Sequence, residues 1–154
     1  MIIDKVFGEL EYDYLWEGND KLYIFGKEYD IKLFVYGEED EEITDIQREA
    51  YISFCDNKDV LSEQMEQAIF EYYQSENKEY RNMYGDKADE YAPVISDKSG
   101  LVGLIKPQSI SVADTDDQRE INILFKSKWN IEYGVGIKLI NEKIVIVGVQ
   151  ADVL

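Results

Sequence analysis

From Glu120 to Leu154 the apolar residues keep to alternate positions. Ile121, Ile123, Phe125 and Trp129 share one parity, interrupted only at Ser127. Successive strand side chains point to opposite faces, so this spacing predicts a half-buried strand. The pattern resumes as Val135, Ile137 and Leu139, stops at Asn141-Glu142, and returns as Ile144, Ile146 and Gly148. A two-residue turn there pairs Leu139 with Ile144 and Ile137 with Ile146, which closes a three-stranded antiparallel meander. Val145, Val147 and Val149 make the other face of the last strand apolar too, which predicts a strand that is central or covered on both sides. Ile110 and Val112 suit pairing at the meander's edge, and Pro107 a strand start or edge.

A first meander is predicted over Phe7–Tyr36. Leu10, Tyr12, Tyr14 and Trp16 alternate with Glu9, Glu11 and Asp13, and Glu17-Gly18-Asn19-Asp20 has the composition of a turn. Lys21–Phe25 gives a second strand, Gly26-Lys27-Glu28 a turn, and Tyr29, Ile31, Leu33 and Val35 a third. The period then changes from two to three and four. Thr44 and Gln47 have capping-box spacing ahead of a helix over Asp45–Phe54, with Ile46, Ala50 and Phe54 at steps of four. A second helix runs from Val60 to about Tyr73 or beyond, carrying a stripe of Leu61, Met65, Ala68, Ile69 and Tyr72. Tyr80, Met83, Tyr84 and Tyr91, set among charged residues, extend that helix or form an ordered excursion. The fold class is therefore α+β: an antiparallel sheet from N-terminal and C-terminal meanders, with two central helices packed on it. Residues 1–154 suit a single domain, with one sheet of five to seven strands and two packed sheets as the alternative.

Composition supports a folded core. Hydrophobic residues make up 45% of the 154 positions, and twelve are Tyr; a domain of this length buries about 68–70% of its unfolded surface. Charge narrows the function. With 33 Asp and Glu against 16 Lys and Arg, the net charge is −17. Such a surface repels phosphate backbones and anionic membranes; it serves to keep an intracellular protein soluble, and as a function it is complementary to a basic protein. Nucleic acid and membrane are thus excluded as expected partners. The acids concentrate in Glu38, Glu39, Asp40, Glu41 and Glu42, next to the first helix, and in Asp114, Asp116 and Asp117. Both groups are candidate partner-binding residues. The first also suits the positive end of the helix dipole. The second resembles a calcium loop only loosely, because the turn Gly and closing Glu are missing.

No histidine is present, which removes His-based nucleophilic systems and His-ligated zinc. The one cysteine, Cys55, cannot form an internal disulfide, and acidic neighbours do not activate it. No Gly-rich phosphate loop follows a strand, and Gly134-Val135-Gly136 lacks the third Gly and the helix. The sequence therefore calls for no catalytic residue, no metal and no cofactor. The N-terminus lacks the basic and apolar regions of a signal peptide, which predicts a cytoplasmic location.

The C-terminal residues carry one resemblance. Trp129-Asn130-Ile131-Glu132-Tyr133-Gly134-Val135-Gly136, the hairpin, and Gly148-Val149-Gln150-Ala151-Asp152 resemble the end of a bacterial domain family of unknown function. That family closes with Trp-Asp-x-Glu-His-Gly-x-Gly and Gly-x-Gln-Asp. Here Asn130 stands for the Asp, Tyr133 for the His, and Ala151 is an extra residue before Asp152. Some members of the family sit in polymorphic toxin loci and are taken to be immunity proteins. The resemblance implies an inhibitor that neutralises a basic toxin by protein contact. It also implies family-motif positions at Trp129, Glu132, Gly134, Gly136, Gly148, Gln150 and Asp152, for which packing is the expected role. The alternatives are a small-ligand or carboxylate-based enzyme domain, with a cleft between helix two and the sheet, and a self-associating module that forms a homodimer.

Overall fold

The computed structural model describes residues 1–154. Four strands, β1 (Ile2–Asp4), β2 (Gly8–Asp13), β3 (Leu15–Ile24) and β4 (Lys27–Val35), precede two helices, α1 (Asp45–Asp56) and α2 (Lys58–Tyr84). After the short helix α3 (Ala88–Tyr91) come β5 (Ile105–Val112), β6 (Glu120–Ser127), β7 (Val135–Ile140) and β8 (Lys143–Gly148). The eight strands form one open sheet in chain order. Every pairing is antiparallel except that of β4 with β5, where the helices carry the chain back across the sheet. No helix is long and apolar enough to cross a membrane.

The core lies between one face of the sheet and the helices. Leu10, Leu22, Leu33, Ile110, Ile123, Phe125 and Ile137 pack there with Phe54 of α1 and Leu61, Met65, Ile69 and Tyr73 of α2. The interface between α2 and the sheet is filled by these side chains. The opposite face is mixed: Phe34, Ser111, Asn122, Lys138 and Ile146 are successive cross-strand neighbours there, and Lys138 lies 3.5 Å from Glu120.

Several boundaries differ from the sequence reading. The sheet has eight strands instead of five to seven, because the three-residue β1 is too short to show a period. Glu17–Asp20 is not a turn but the middle of β3; the chain reverses at Tyr14, which adopts φ 68°. Gly18 is a packing glycine, since a Cβ there would meet Leu10 Cδ2 at 2.9 Å and the Glu9 carbonyl at 3.0 Å. Asp20 is taken up by α1 and α2, accepting hydrogen bonds from the Tyr51 hydroxyl and from Lys58 Nζ, the latter at 3.0 Å. The first helix has the expected capping box, with Gln47 N donating to Thr44 Oγ1 at 3.1 Å. The second helix continues to Tyr84 because its buried stripe runs on in steps of four through Leu61, Met65, Ile69, Tyr73 and Asn77. Asn77 Nδ2 and Arg81 Nη1 each donate to the Ala92 carbonyl at 3.1 Å, which anchors the polar end of the helix.

The last hairpin turns at Asn141 and Glu142, whose φ values of 49° and 63° fit a primed turn. Leu139 pairs with Ile144 as expected, but Ile137 faces Val147 instead of Ile146. A bulge opposite the Lys138–Leu139 step inserts one residue on β8 and slips the register. β8 is an edge strand, not a covered one, and Val145 and Ile146 are exposed.

Candidate binding surfaces at the two ends of the parallel pair

The parallel pairing of β4 with β5 puts the loops that leave these strands at one end of the sheet and the segments that enter them at the other. Tyr36 N donates to the Val112 carbonyl at 3.0 Å, holding the two exit points together. The acidic run therefore stands beside the 113–119 loop. Glu41, Glu42 and Asp114 share a small hollow with Trp16 and Tyr36. A second hollow of about 430 Å³ is walled by Glu39, Asp40, Glu41 and Glu42 with Ile2, Trp16 and Arg48. Asp116 and Asp117 are exposed on the same loop and line neither hollow.

The eight carboxylates Glu38, Glu39, Asp40, Glu41, Glu42, Asp114, Asp116 and Asp117 are all exposed, and none has a cation within ion-pair distance. The one guanidinium nearby, on Arg48, is engaged at 2.7 Å by the buried Asp4. Burial pushes the Asp4 carboxyl up, but Arg48 and the donating N–H groups of Val6 and Phe7 outweigh it and hold the group below its ordinary range. Burial raises the Tyr12 phenol, and the charges of Glu38 and Glu39 raise it further. Trp16 is 6% exposed, lines both hollows, and has no partner for its indole N–H.

At the other end β4 and β5 separate. Their ladder covers only Lys32–Val35 and Ser109–Val112, so Lys27–Ile31 and Ile105–Gln108 do not pair with each other. The bulge between Pro107 and Ser109 bends β5 there, and Pro107 has no N–H to donate. An open cleft of about 680 Å³ results. Lys27, Lys106, Lys126 and Lys128 line it, with Glu132 as its one carboxylate.

The family-motif residues join this cleft to the end of the chain. Gln150 N donates to the Tyr133 carbonyl, and its Nε2 donates to the Phe125 carbonyl at 2.9 Å and to Gln108 Oε1 at 3.0 Å. Three glycines make room for the closing turn Gln150–Asp152. A Cβ on Gly134 would meet Gln150 Nε2 at 2.6 Å, one on Gly136 would meet Val153 Cγ2 at 2.6 Å, and one on Gly148 would strike the Asp152 carboxylate. Asp152 accepts from Val149 N at 3.1 Å. Trp129 is fully buried, with its ring 4.7 Å from that of Tyr73, and its carbonyl accepts from the Tyr84 hydroxyl at 2.7 Å. Asn130 Nδ2 donates to the Tyr80 hydroxyl, and Asn130 Oδ1 accepts from Tyr133 N. Glu132 is exposed at the cleft. The motif thus locks the chain end and the tip of α2 onto the sheet. The sequence reading missed the four-lysine cleft, although the like charges at Lys106, Lys126 and Lys128 were a visible signal in so acidic a chain.

Cys55 is half-buried, and burial raises its thiol above the ordinary range. No three His, Cys, Asp or Glu side chains converge in a metal-binding group. The fold and its two ends define a mixed α+β domain with one open, mostly antiparallel sheet and oppositely charged poles. The chain belongs to the DUF6985 family, a domain of unknown function, whose model matches residues 6–154. Neither a curated protein nor a solved structure matches the chain.

Proposed function

We propose that this protein is a binding protein that engages a basic protein partner through its acidic pole. The finer form of the proposal is a bacterial, cytoplasmic immunity protein that covers the cationic surface of a toxin. One observation carries it: eight exposed carboxylates, none ion-paired, stand on two loops that the parallel pair brings side by side. Bringing like charges together destabilises the free protein, and a basic partner removes that cost on binding. The hollows beside Trp16 give the surface relief. Encounter between opposite charges is steered at low ionic strength and screened within about 8 Å at physiological salt. The test is capture of proteins from the source lysate and of the products of adjacent genes, followed by kinetics over a salt series. The proposal expects one stoichiometric basic partner whose association rate falls steeply with salt. It fails if no such product binds, or if binding is indifferent to salt.

A second reading, self-association, is favoured by the open edge of β8 with Val145 and Ile146 exposed. A solution mass of 18.0 kDa would remove it.

A further inference from the structure

We propose that the lysine cleft between the separated ends of β4 and β5 binds a small phosphorylated ligand carrying two or more negative charges. Lys106 and Lys126 are direct cross-strand neighbours. Like charges in that relation repel across Cβ atoms about 5 Å apart and weaken the sheet. Lys128 lies two residues further along the chain, just past the end of β6, and Lys27 also lines the cleft.

Carboxylates outnumber basic groups by 33 to 16, yet none lies within ion-pair distance of these four lysines. All three arginines and five other lysines do have such partners, and the remaining four lysines, Lys5, Lys78, Lys87 and Lys143, stand outside this cleft. Lys27 Nζ sits 5.3 Å from the Tyr29 ring centre, and Lys128 Nζ 5.8 Å from that of Tyr91. Both keep their charge exposed to an incoming anion. The strand edges facing each other across the cleft are not laddered to each other over Lys27–Ile31 and Lys106–Gln108.

The size of the cleft and the charge of the molecule select the ligand. About 680 Å³ suits a small metabolite. A long polyanion such as nucleic acid would extend onto a surface of net charge −17 and be repelled, whereas a small anion stays within the reach of the lysines. Lysine ammonium groups are compact, strongly hydrated point charges that suit phosphate oxygens without demanding one planar geometry. Tyr29 and Ile131 supply apolar wall for an organic body, and the amides of Gln108 and Gln150 line the side that the chain end closes. This site is independent of the acidic pole, which lies roughly 30 Å away along β4 at about 3.3 Å per residue.

The test is titration of the full chain with inorganic pyrophosphate, and separately with citrate, followed by backbone amide NMR. The expected result is saturable binding at millimolar or lower concentration, with shifts confined to residues 27–31, 103–108, 126–134 and 150. Lys106→Gln/Lys126→Gln should weaken it at least about tenfold. The exposed control Lys78→Gln/Lys87→Gln removes the same total charge elsewhere and should leave affinity within about twofold. Absence of saturation, equal losses in the two double variants, or citrate binding as tightly as pyrophosphate would overturn the proposal. Thermal unfolding supplies a second readout: Lys106→Gln/Lys126→Gln should be at least as stable as the parent without ligand and should lose the stabilisation that pyrophosphate gives.

Discussion

Arg119 grips Glu142 with two parallel hydrogen bonds, Nε to Oε2 at 2.9 Å and Nη2 to Oε1 at 2.9 Å. The first residue precedes β6 and the second forms the β7–β8 turn, so the pair fastens the hairpin tip to the strand beside it. Ser53 Oγ of α1 donates to the same Oε1 at 2.9 Å, bringing a helix into the clamp. Glu142→Gln should therefore destabilise the fold by about 1 kcal/mol, a modest figure because Arg119 is 37% exposed and solvent screens the charges. For a chain of this length that lowers Tm by roughly 2–4 °C. A double-mutant cycle with Arg119→Ala checks it: additive losses would show that the two residues do not act together.

Acidification should weaken the fold through two ion-paired carboxylates. Hydrogen bonds from Arg119 hold Glu142 low against burial, and Asp4, although burial pushes it up, is held low by Arg48 and two backbone N–H groups. A carboxyl with a folded pKa below its unfolded value stabilises the fold fully above the unfolded value, near 4, and loses that contribution as pH falls through the folded one. The many exposed acids act in the opposite sense, since protonating them relieves repulsion. Urea midpoints measured from pH 7 to pH 3 should decline most steeply below about pH 4 in the parent and less steeply in Asp4→Asn. Parallel profiles would refute the assignment.

The chain end gives a sharper contrast between glycines. Gly26 and Gly134 both have positive φ, but a Cβ on Gly26 meets open space whereas one on Gly134 meets the Phe125 carbonyl and Gln150. Gly26→Ala should cost about 1 kcal/mol, for backbone strain alone. Gly134→Ala should cost about 3 kcal/mol, adding a displaced tail to a similar strain. Denaturant unfolding measures both, and carboxypeptidase should trim residues 150–154 faster only in Gly134→Ala.

Much of this architecture is legible in the sequence, and the reason differs from element to element. The alternation through Ile121, Ile123 and Phe125 is readable because those side chains face one core, and the Thr44–Gln47 box is readable because a cap is local. Gly18 and Asp20 mislead because they look like turn residues, while their roles come from partners 8 to 38 residues away, namely Leu10, Tyr51 and Lys58. The polar end of α2 is helical because Asn77 and Arg81 bind a segment that no periodicity reveals. The acidic run is visible as a run, but its meeting with Asp114 depends on the parallel register of β4 and β5. The lysine cleft needs the same register and the bulge near Pro107 as well.

Neutralising the acidic pole should separate binding from stability. Glu39→Gln, Glu41→Gln and Asp114→Asn together remove three charges that have no cationic partner and no hydrogen-bonded side-chain role. Where a charge has no partner, its loss leaves nothing unsatisfied, and relief of repulsion favours the compact state. The triple variant should unfold at the parent's Tm or slightly above it, with the difference largest at low ionic strength. The same variant should associate with a basic partner at least about tenfold more slowly at low salt, with a much smaller change in dissociation. Stability and association then move in opposite directions, which a surface kept only for solubility would not produce. A triple variant that captures the partner at the parent's rate would place recognition elsewhere on the molecule, while one that unfolds well below the parent would show that these carboxylates hold the loops together.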